Sequence, residues 1–367
     1  MTTIDKVIKT LRKAASLKLT VVCLLILVAL VVWGTVYQAE HGLYQAQQKF
    51  FYSWFFFLLG FIPFPGTVMI LFILFVNLVC VLFFRVGFKL ANLGNIITHL
   101  GIIILLAGGF FSFYFSEESS LMLKEGESSN MSSSRHLWEL AAWELKSGDK
   151  DVYAVDTAGF SSGKTVRFDD LKLELAVKEY YKNCSASGTG VLKDKPLAAE
   201  ASENIAGGVF EITPYPGMNT GGKQEALLYG QDSRPAMITV DGRRLSFTLR
   251  RKKIALPLYL FLKDFRVKLY PNSTIPKSYE STVTINAEGG VARDVVISMN
   301  KPLRFEDYTF FQSSYHVARD GTEYTILAVV KNAGRLIPYI ASITIFLGLV
   351  IHFLVMLFRR RRNKNKP

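Results

Sequence analysis

The sequence predicts a polytopic α-helical membrane protein, with four transmembrane helices plus an interfacial helix and a large extracytoplasmic β-rich domain. Three observations carry this expectation. The 50% hydrophobic content of the 367 residues is bunched into a few long runs. Basic residues gather at one set of flanks of those runs. A segment between the third and fourth runs, roughly 220 residues long, alternates with strand period.

Crossing about 30 Å of hydrocarbon at 1.5 Å per residue takes roughly 20 apolar residues. Four runs reach that length: Leu19–Tyr37, Gly66–Phe84, Asn95–Phe115 and Leu336–Phe358. The first is too long for a signal-peptide core, lacks a small-x-small cleavage site and runs into Trp33 and Tyr37, so it is expected to be retained. A fifth apolar stretch, Phe50–Ile62, is too short to span and is closed by Pro63 and Pro65. Its Phe, Tyr and Trp content suits a helix lying at the outer interface.

Orientation follows from the positive flanks. Lys6, Lys9, Arg12, Lys13 and Lys18 precede the first span, Arg85 and Lys89 lie between the second and third, and Arg359 to Arg362, Lys364 and Lys366 follow the fourth. These cations, against the single acid Asp5, account for nearly all of the formal net charge of +13. Residues 1–18 and the tail 359–367 are therefore expected in the cytoplasm, residues 19–115 hold three spans, residues 116–335 are exported, and residues 336–358 return. Charge confined to membrane flanks points to topology and anionic membrane lipid, and away from nucleic acid.

Of three cysteines, Cys23 and Cys80 lie inside spans, leaving Cys184 alone in the exported domain. With no C-x-x-C, dithiol redox chemistry is not expected. The exported domain reads as antiparallel sheet. Strand patterns cover Lys172–Tyr180, AMITV and RLSFTL around Asp241–Gly242, FRVKLY, and STVTINAEGG leading to VVISM, with further turns at Glu288–Gly290 and Asp320–Gly321. Gly188–Gly208 reads as a loop or a junction between two subregions. Metalloprotease, hydrolase and phosphate-loop motifs are absent, and His136 and His316 stand apart, so no catalytic residue is assigned.

Polar residues inside spans mark function or helix contacts. Asn77 reads as a hydrogen-bonding partner for a neighbouring helix. On a helical wheel, Gly94, Gly101 and Gly108 fall roughly 140–180° from His99, while Asn95, Ile102, Ile103, Leu106 and Phe110 cluster within about 60° of it. One face is thus small enough for close packing, and the other offers an imidazole in an apolar wall. This fits an axial ligand for haem iron and equally a histidine bonded to another helix. His352 lies at a similar depth, roughly 6–9 Å inside the same boundary at 1.5 Å per residue, and the two imidazoles are candidates to meet.

Eight segments carry a family resemblance: WGTVYQAEHGLY, FFYSWFFFLL, FVNLVCVLFFR, GNIITHLGIIILLAGGF, SEESSLMLKEGESS, DFRVKLYPNSTIPKSYES, MNKPLRFEDYTFFQSSYH and GLVIHF. In this order and topology the chain resembles the ResB, or CcsB, family of System II cytochrome c biogenesis proteins. The resemblance implies a subunit of a haem lyase (cytochrome c synthase) complex in a bacterial inner membrane. It implies haem b as a transient, substrate-like group, His99 as its iron ligand, and a second ligand usually supplied by a CcsA/ResC-like partner, with His352 the candidate within this chain. Apocytochrome c is the implied acceptor, and a thioredoxin-like thiol reductant a further partner. Trp138 and Trp143, in HLWELAAWEL, do not form the tryptophan-rich loop of that partner, so the chain is not expected to attach haem alone. The competing reading is a membrane-anchored scaffold or sensor with a protein-binding sheet domain and structural histidines.

Overall fold

The computed structural model describes residues 3–145, 151–187, 190–215, 223–240, 242–287, 290 and 292–364. They form two units, Met1–Ser116 with Asn332–Pro367, and Glu117–Lys331.

The first unit is helical: α1 (Thr3–Ala14), α2 (Leu17–His41), α3 (Leu43–Ala46), α4 (Thr67–Phe84), α5 (Leu93–Phe115) and α6 (Ile337–Lys364). Helices α2, α4, α5 and α6 are long and apolar enough to cross a membrane, as expected. Most of their apolar surface is not covered by protein. A helix that is hydrophobic all round needs a hydrocarbon environment. Side chains beyond Arg360, including the tail cations Arg361, Arg362, Lys364 and Lys366, lie outside the described set.

Before the first span the basic segment forms α1, which ends where Ser16 turns extended at φ −114° and ψ 127°. Asn77, only 1% exposed, fills this corner. Its amide donates to Ala14 O at 2.6 Å and Ser16 O at 3.1 Å, and its carbonyl accepts from Thr20 Oγ1 at 2.7 Å. The Asn77 amide therefore satisfies two carbonyls freed by the helix break, the interhelical role expected of it.

The interfacial helix expected over residues 50–62 does not form. A π-helical turn covers Gln47–Phe51, and β1 (Phe55–Leu58) pairs antiparallel with β2 (Ile62–Pro65). Leu59 at φ 52° and Gly60 at φ 83° make the turn. Pro63 and Pro65 lack the N–H a helix would use, while a short exposed ladder tolerates them. Alternation sends Phe56 inward, opposite Phe64, onto an aromatic core in which the Trp33 ring lies 5.6 Å from Phe50 and 5.9 Å from Phe56.

Helices α5 and α6 meet through small residues. Gly94, Gly101 and Gly108 are buried on one face of α5. A Cβ at Gly94 would overlap the backbone of His352, one at Gly101 would sit 2.6 Å from Ile345 Cγ1, and one at Gly108 would overlap Ile337. Across the contact, Gly348 faces Thr98 and Ala341 is fully buried. The glycine spacing of seven keeps one face in register for two helical turns at a time.

The second unit is all β: β3 (Glu117–Lys124), β4 (Ser128–Glu144), β5 (Tyr153–Asp156), β6 (Thr165–Phe168), β7 (Leu173–Tyr181), β8 (Cys184–Ala186), β9 (Leu192–Asp194), β10 (Gly207–Pro214), β11 (Gln224–Tyr229), β12 (Ala236–Val240), β13 (Arg243–Leu269), β14 (Pro276–Ala287), β15 (Arg293–Ser298), β16 (Leu303–Phe305), β17 (Tyr308–Val317) and β18 (Glu323–Lys331). All recorded pairs between named strands are antiparallel. A sheet ordered β11-β10-β7-β6 stands beside a larger one ordered β15-β14-β13-β4-β3-β18-β17-β16, to which β5 and β12 add.

Two apolar cores result. One gathers Leu140, Leu173, Phe210, Ile212, Leu245 and Phe247; the other gathers Leu121, Leu260, Val283, Ile297, Phe310 and Leu327. Each such side chain contributes about 1.5–3 kcal/mol through burial. The 27-residue β13 runs through both. Between them it carries Arg250–Lys253, where its register against β4 shifts. The Gly188–Gly208 segment holds β9 and the start of β10 and does not divide the cores. Asp241, Gly188 and residues 288–289 of the expected turns lie outside the described residues, while the Asp320–Gly321 turn joins β17 to β18 as read.

Because even a methyl group at position 94 meets α6 backbone, Gly94→Ala should cost about 1–3 kcal/mol of stability through overpacking. A lowered thermal midpoint in detergent, with β content retained, is the expected result.

Candidate functional site

The docking of α5 on α6 decides what His99 faces. Its angular offset from the glycine stripe turns it away from α6, onto the face that carries Ile102, Ile103, Leu106 and Phe110, all half-buried. At the other end of this face the Phe110 ring lies 6.4 Å from both Phe72 and Phe75 of α4. The eleven residues from His99 to Phe110 make about three turns, so His99 lies on nearly the same line, about 16 Å along the helix. The imidazole is half-exposed on the apolar face of α5 that meets α4 at Phe110.

One hydrogen bond defines its chemistry. His99 Nδ1 lies 2.8 Å from the Asn95 carbonyl oxygen. A carbonyl only accepts, so Nδ1 carries a hydrogen, and in the neutral ring Nε2 is then the nitrogen with the lone pair. A ring nitrogen oriented by a backbone carbonyl, with its partner nitrogen free, is the arrangement of a metal-ligating histidine. A neutral imidazole nitrogen among half-buried apolar side chains is chemically compatible with a haem iron as ligand.

His352 is placed differently. It follows Gly348 by one helical turn and its backbone packs on Gly94, within the seam between α5 and α6. Its ring lies 5.8 Å from Phe353. The His352 backbone thus meets the glycine face of α5, and His99 is carried on the opposite face. The wheel reading located His99 relative to the glycines; which helix would cover the glycines could not be read from that pattern.

In the β unit, two of the resemblance motifs meet through a buried polar triad that sequence reasoning missed. The Ser281 hydroxyl on β14 donates to Gln312 Oε1 on β17 at 2.7 Å, and Gln312 Nε2 donates to Thr325 Oγ1 on β18 at 2.8 Å. Ser281 and Thr325 are fully buried and Gln312 nearly so. Nearby, the Tyr279 hydroxyl donates to Ser313 O at 2.8 Å, and the Tyr279 and Tyr315 rings are 5.6 Å apart. A polar residue recurring at an inward position of a strand was the available signal. The triad ties opposite walls of the second core together and pins their register.

Burial pushes His136 below its ordinary value, with Glu118 opposing and Arg251 adding to the shift. The His316 ring lies 6.3 Å from that of Tyr324. Trp138 lies under the Arg251 guanidinium at 4.2 Å, a packing role. Among the described residues, no cluster of three or more His, Cys, Asp or Glu could hold a metal ion.

Cys184 is 2% exposed, and Gly207 makes room for its sulfur: a Cβ there would lie 2.5 Å from Sγ. Burial, with Asp194 adding, pushes the thiol up to about 11.

Residues 226–323 match the model of the ResB-like family. Over 116 residues, 31% of the chain, the sequence is 34% identical to Protein NrfI of Wolinella succinogenes, a match that covers 12% of that protein. Over 56 residues, 15% of the chain, it is 38% identical to Cytochrome c biogenesis protein Ccs1 of Heterosigma akashiwo, covering 13% of it. These matches span only a small part of either relative. The family match includes Ser281 and Gln312.

With its thiol pushed up to about 11, Cys184 should resist iodoacetamide at pH 8 in the folded protein and react once the chain is unfolded, as mass spectrometry would read. The unfolded thiol ionises from about pH 9 and the folded one only near 11, so the unfolded state holds fewer protons across that window and stability falls as pH rises through it.

Proposed function

We propose that this chain, which belongs to the ResB-like (ResB/CcsB) family, serves cytochrome c biogenesis by holding haem in the membrane through His99 and passing it outward together with a CcsA/ResC-like membrane partner. The observation that carries the ligand role is the Nδ1 contact to the Asn95 carbonyl, which leaves Nε2 of the neutral ring as the ligating nitrogen on the face of α5 opposite α6.

The basic flanks set the orientation: both termini in the cytoplasm and the β unit on the far side of a bacterial inner membrane. Haem b is the cargo. It is transferred to apocytochrome c, whose two C-x-x-C-H thiols add to the haem vinyl groups to form thioethers. Nothing in the β unit supplies a reactive thiol, since Cys184 is buried. Keeping the acceptor thiols reduced therefore falls to a separate, thioredoxin-like reductant. The seam position of His352 favours a second axial ligand from the partner, and the chain acts as a subunit of the synthase with no catalytic residue of its own.

His99→Ala should lower haem retention and cytochrome c assembly together, and added imidazole should partly restore both by entering the vacated coordination position. His352→Ala should leave most haem bound. A His99→Ala complex with a full haem complement and an unchanged absorption spectrum would make the histidine structural and favour the scaffold reading. Equal losses in the two variants would place both ligands in this chain.

Orientation is checked separately by reporter fusions. An alkaline phosphatase fused at residue 120 should be active, and one fused after Lys366 inactive; a cytoplasmic reporter active at residue 120 overturns the topology.

A further inference from the structure

α1 is a basic amphipathic helix whose apolar face is only partly used. On a helical wheel Ile4, Val7, Ile8, Leu11 and Ala15 share an arc of about 100°, with Lys6, Lys9 and Lys13 on the opposite side and Arg12 on the flank. Leu11 turns onto α4 and Ala15 is buried in the Asn77 corner. The rest of the stripe is bare: Ile4 is 69%, Val7 53% and Ile8 40% exposed. Three exposed large aliphatics in a row on a cationic helix suit the boundary between headgroups and acyl chains.

Beneath the helix, Leu11 and the α4 residues Phe75, Val79, Cys80, Phe83 and Phe84 line a groove of about 530 Å³. Apart from the Cys80 thiol its lining is apolar and it offers no imidazole, so hydrocarbon fits it. Arg85 caps the C-terminal end of α4, and Lys6, Lys9, Arg12 and Lys13 belong to α1, which packs on that helix through Leu11.

We propose that α1 lies in the plane of the membrane surface and, with the groove on α4, binds an anionic phospholipid, acyl chain in the groove and headgroup among Lys6, Lys9, Arg12, Lys13 and Arg85. Charge complementarity selects the occupant, since α1 carries four cations against Asp5 alone. The Asn77 hydrogen bonds hold the helix at this corner whether or not lipid is present. The proposal rests on α1 and α4 and is independent of the haem reading.

The test uses the full-length chain in nanodiscs of phosphatidylcholine, alone or mixed with phosphatidylglycerol. Phosphatidylglycerol should raise the thermal midpoint by several degrees and be enriched among lipids retained on purification. The combined variant Lys6→Gln, Lys9→Gln, Arg12→Gln and Lys13→Gln should lose that rise and retain at least about threefold less of the lipid. A nitroxide on Ile8→Cys should be reached by oxygen and shielded from a water-soluble nickel chelate. Equal lipid retention by the charge variant, or a label open to the nickel chelate, overturns the proposal. So does a groove-filling Val79→Trp variant that loses haem while keeping lipid, which would make the groove a haem site.

Discussion

Close contact between α5 and α6 depends on the missing Cβ atoms of Gly94, Gly101 and Gly108, and the rest of the membrane unit is arranged around that contact. Lipid tails are as apolar as leucine, so two spans gain little from hydrophobicity alone and must gain from fit. Once the glycine face is committed to α6, the opposite face of α5 is left to α4 and the surroundings. His99 lies on that second face, its Nδ1 held by Asn95 and its Nε2 free. Packing therefore decides orientation, and orientation decides which chemistry the imidazole can perform.

The β unit answers a different constraint, that of building two cores from one chain without a hinge between them. β13 supplies Leu245 and Phe247 to one core and Leu260 and Leu262 to the other. The strand must pass between them, and there it carries cations that are individually paired: Arg250 with Glu139 at 2.8 Å, and Lys252 with Asp156 at 2.9 Å. Lys253, pushed down by burial, donates to Ser133 Oγ at 2.8 Å. A polar waist of this kind pairs most of its cationic side chains where neither core reaches.

The four spans were legible because length and composition alone mark a helix that can cross hydrocarbon. The aromatic run at Phe50–Ile62 misled because the same residue types suit an interfacial helix and a hairpin, and only the alternation of Phe56 against Phe55 and Phe57 separates them. α1 passed as a basic flank because topology was read from its charges and not from the spacing of Ile4, Val7, Ile8 and Leu11. The His99 face could be drawn on a wheel, yet the partner of the glycine face depends on tertiary packing, which brings His352 into the seam. The Ser281, Gln312 and Thr325 triad joins residues 44 positions apart, a pairing that strand periodicity does not encode.

The passage of β13 through both cores also bears on how the β unit comes apart. Two cores joined by a linker would each melt at a temperature of its own. Here the strand is the wall of both, and its backbone ladder to β4 reaches both cores although its register shifts twice, between Arg251 and Lys253 and between Ala255 and Leu260. Losing one core strips hydrogen-bonding partners from strands that belong to the other, so partial opening exposes more than it frees. The two cores are in this sense a single cooperative body, and a proteolytic cut inside either would be felt along the whole length of the strand.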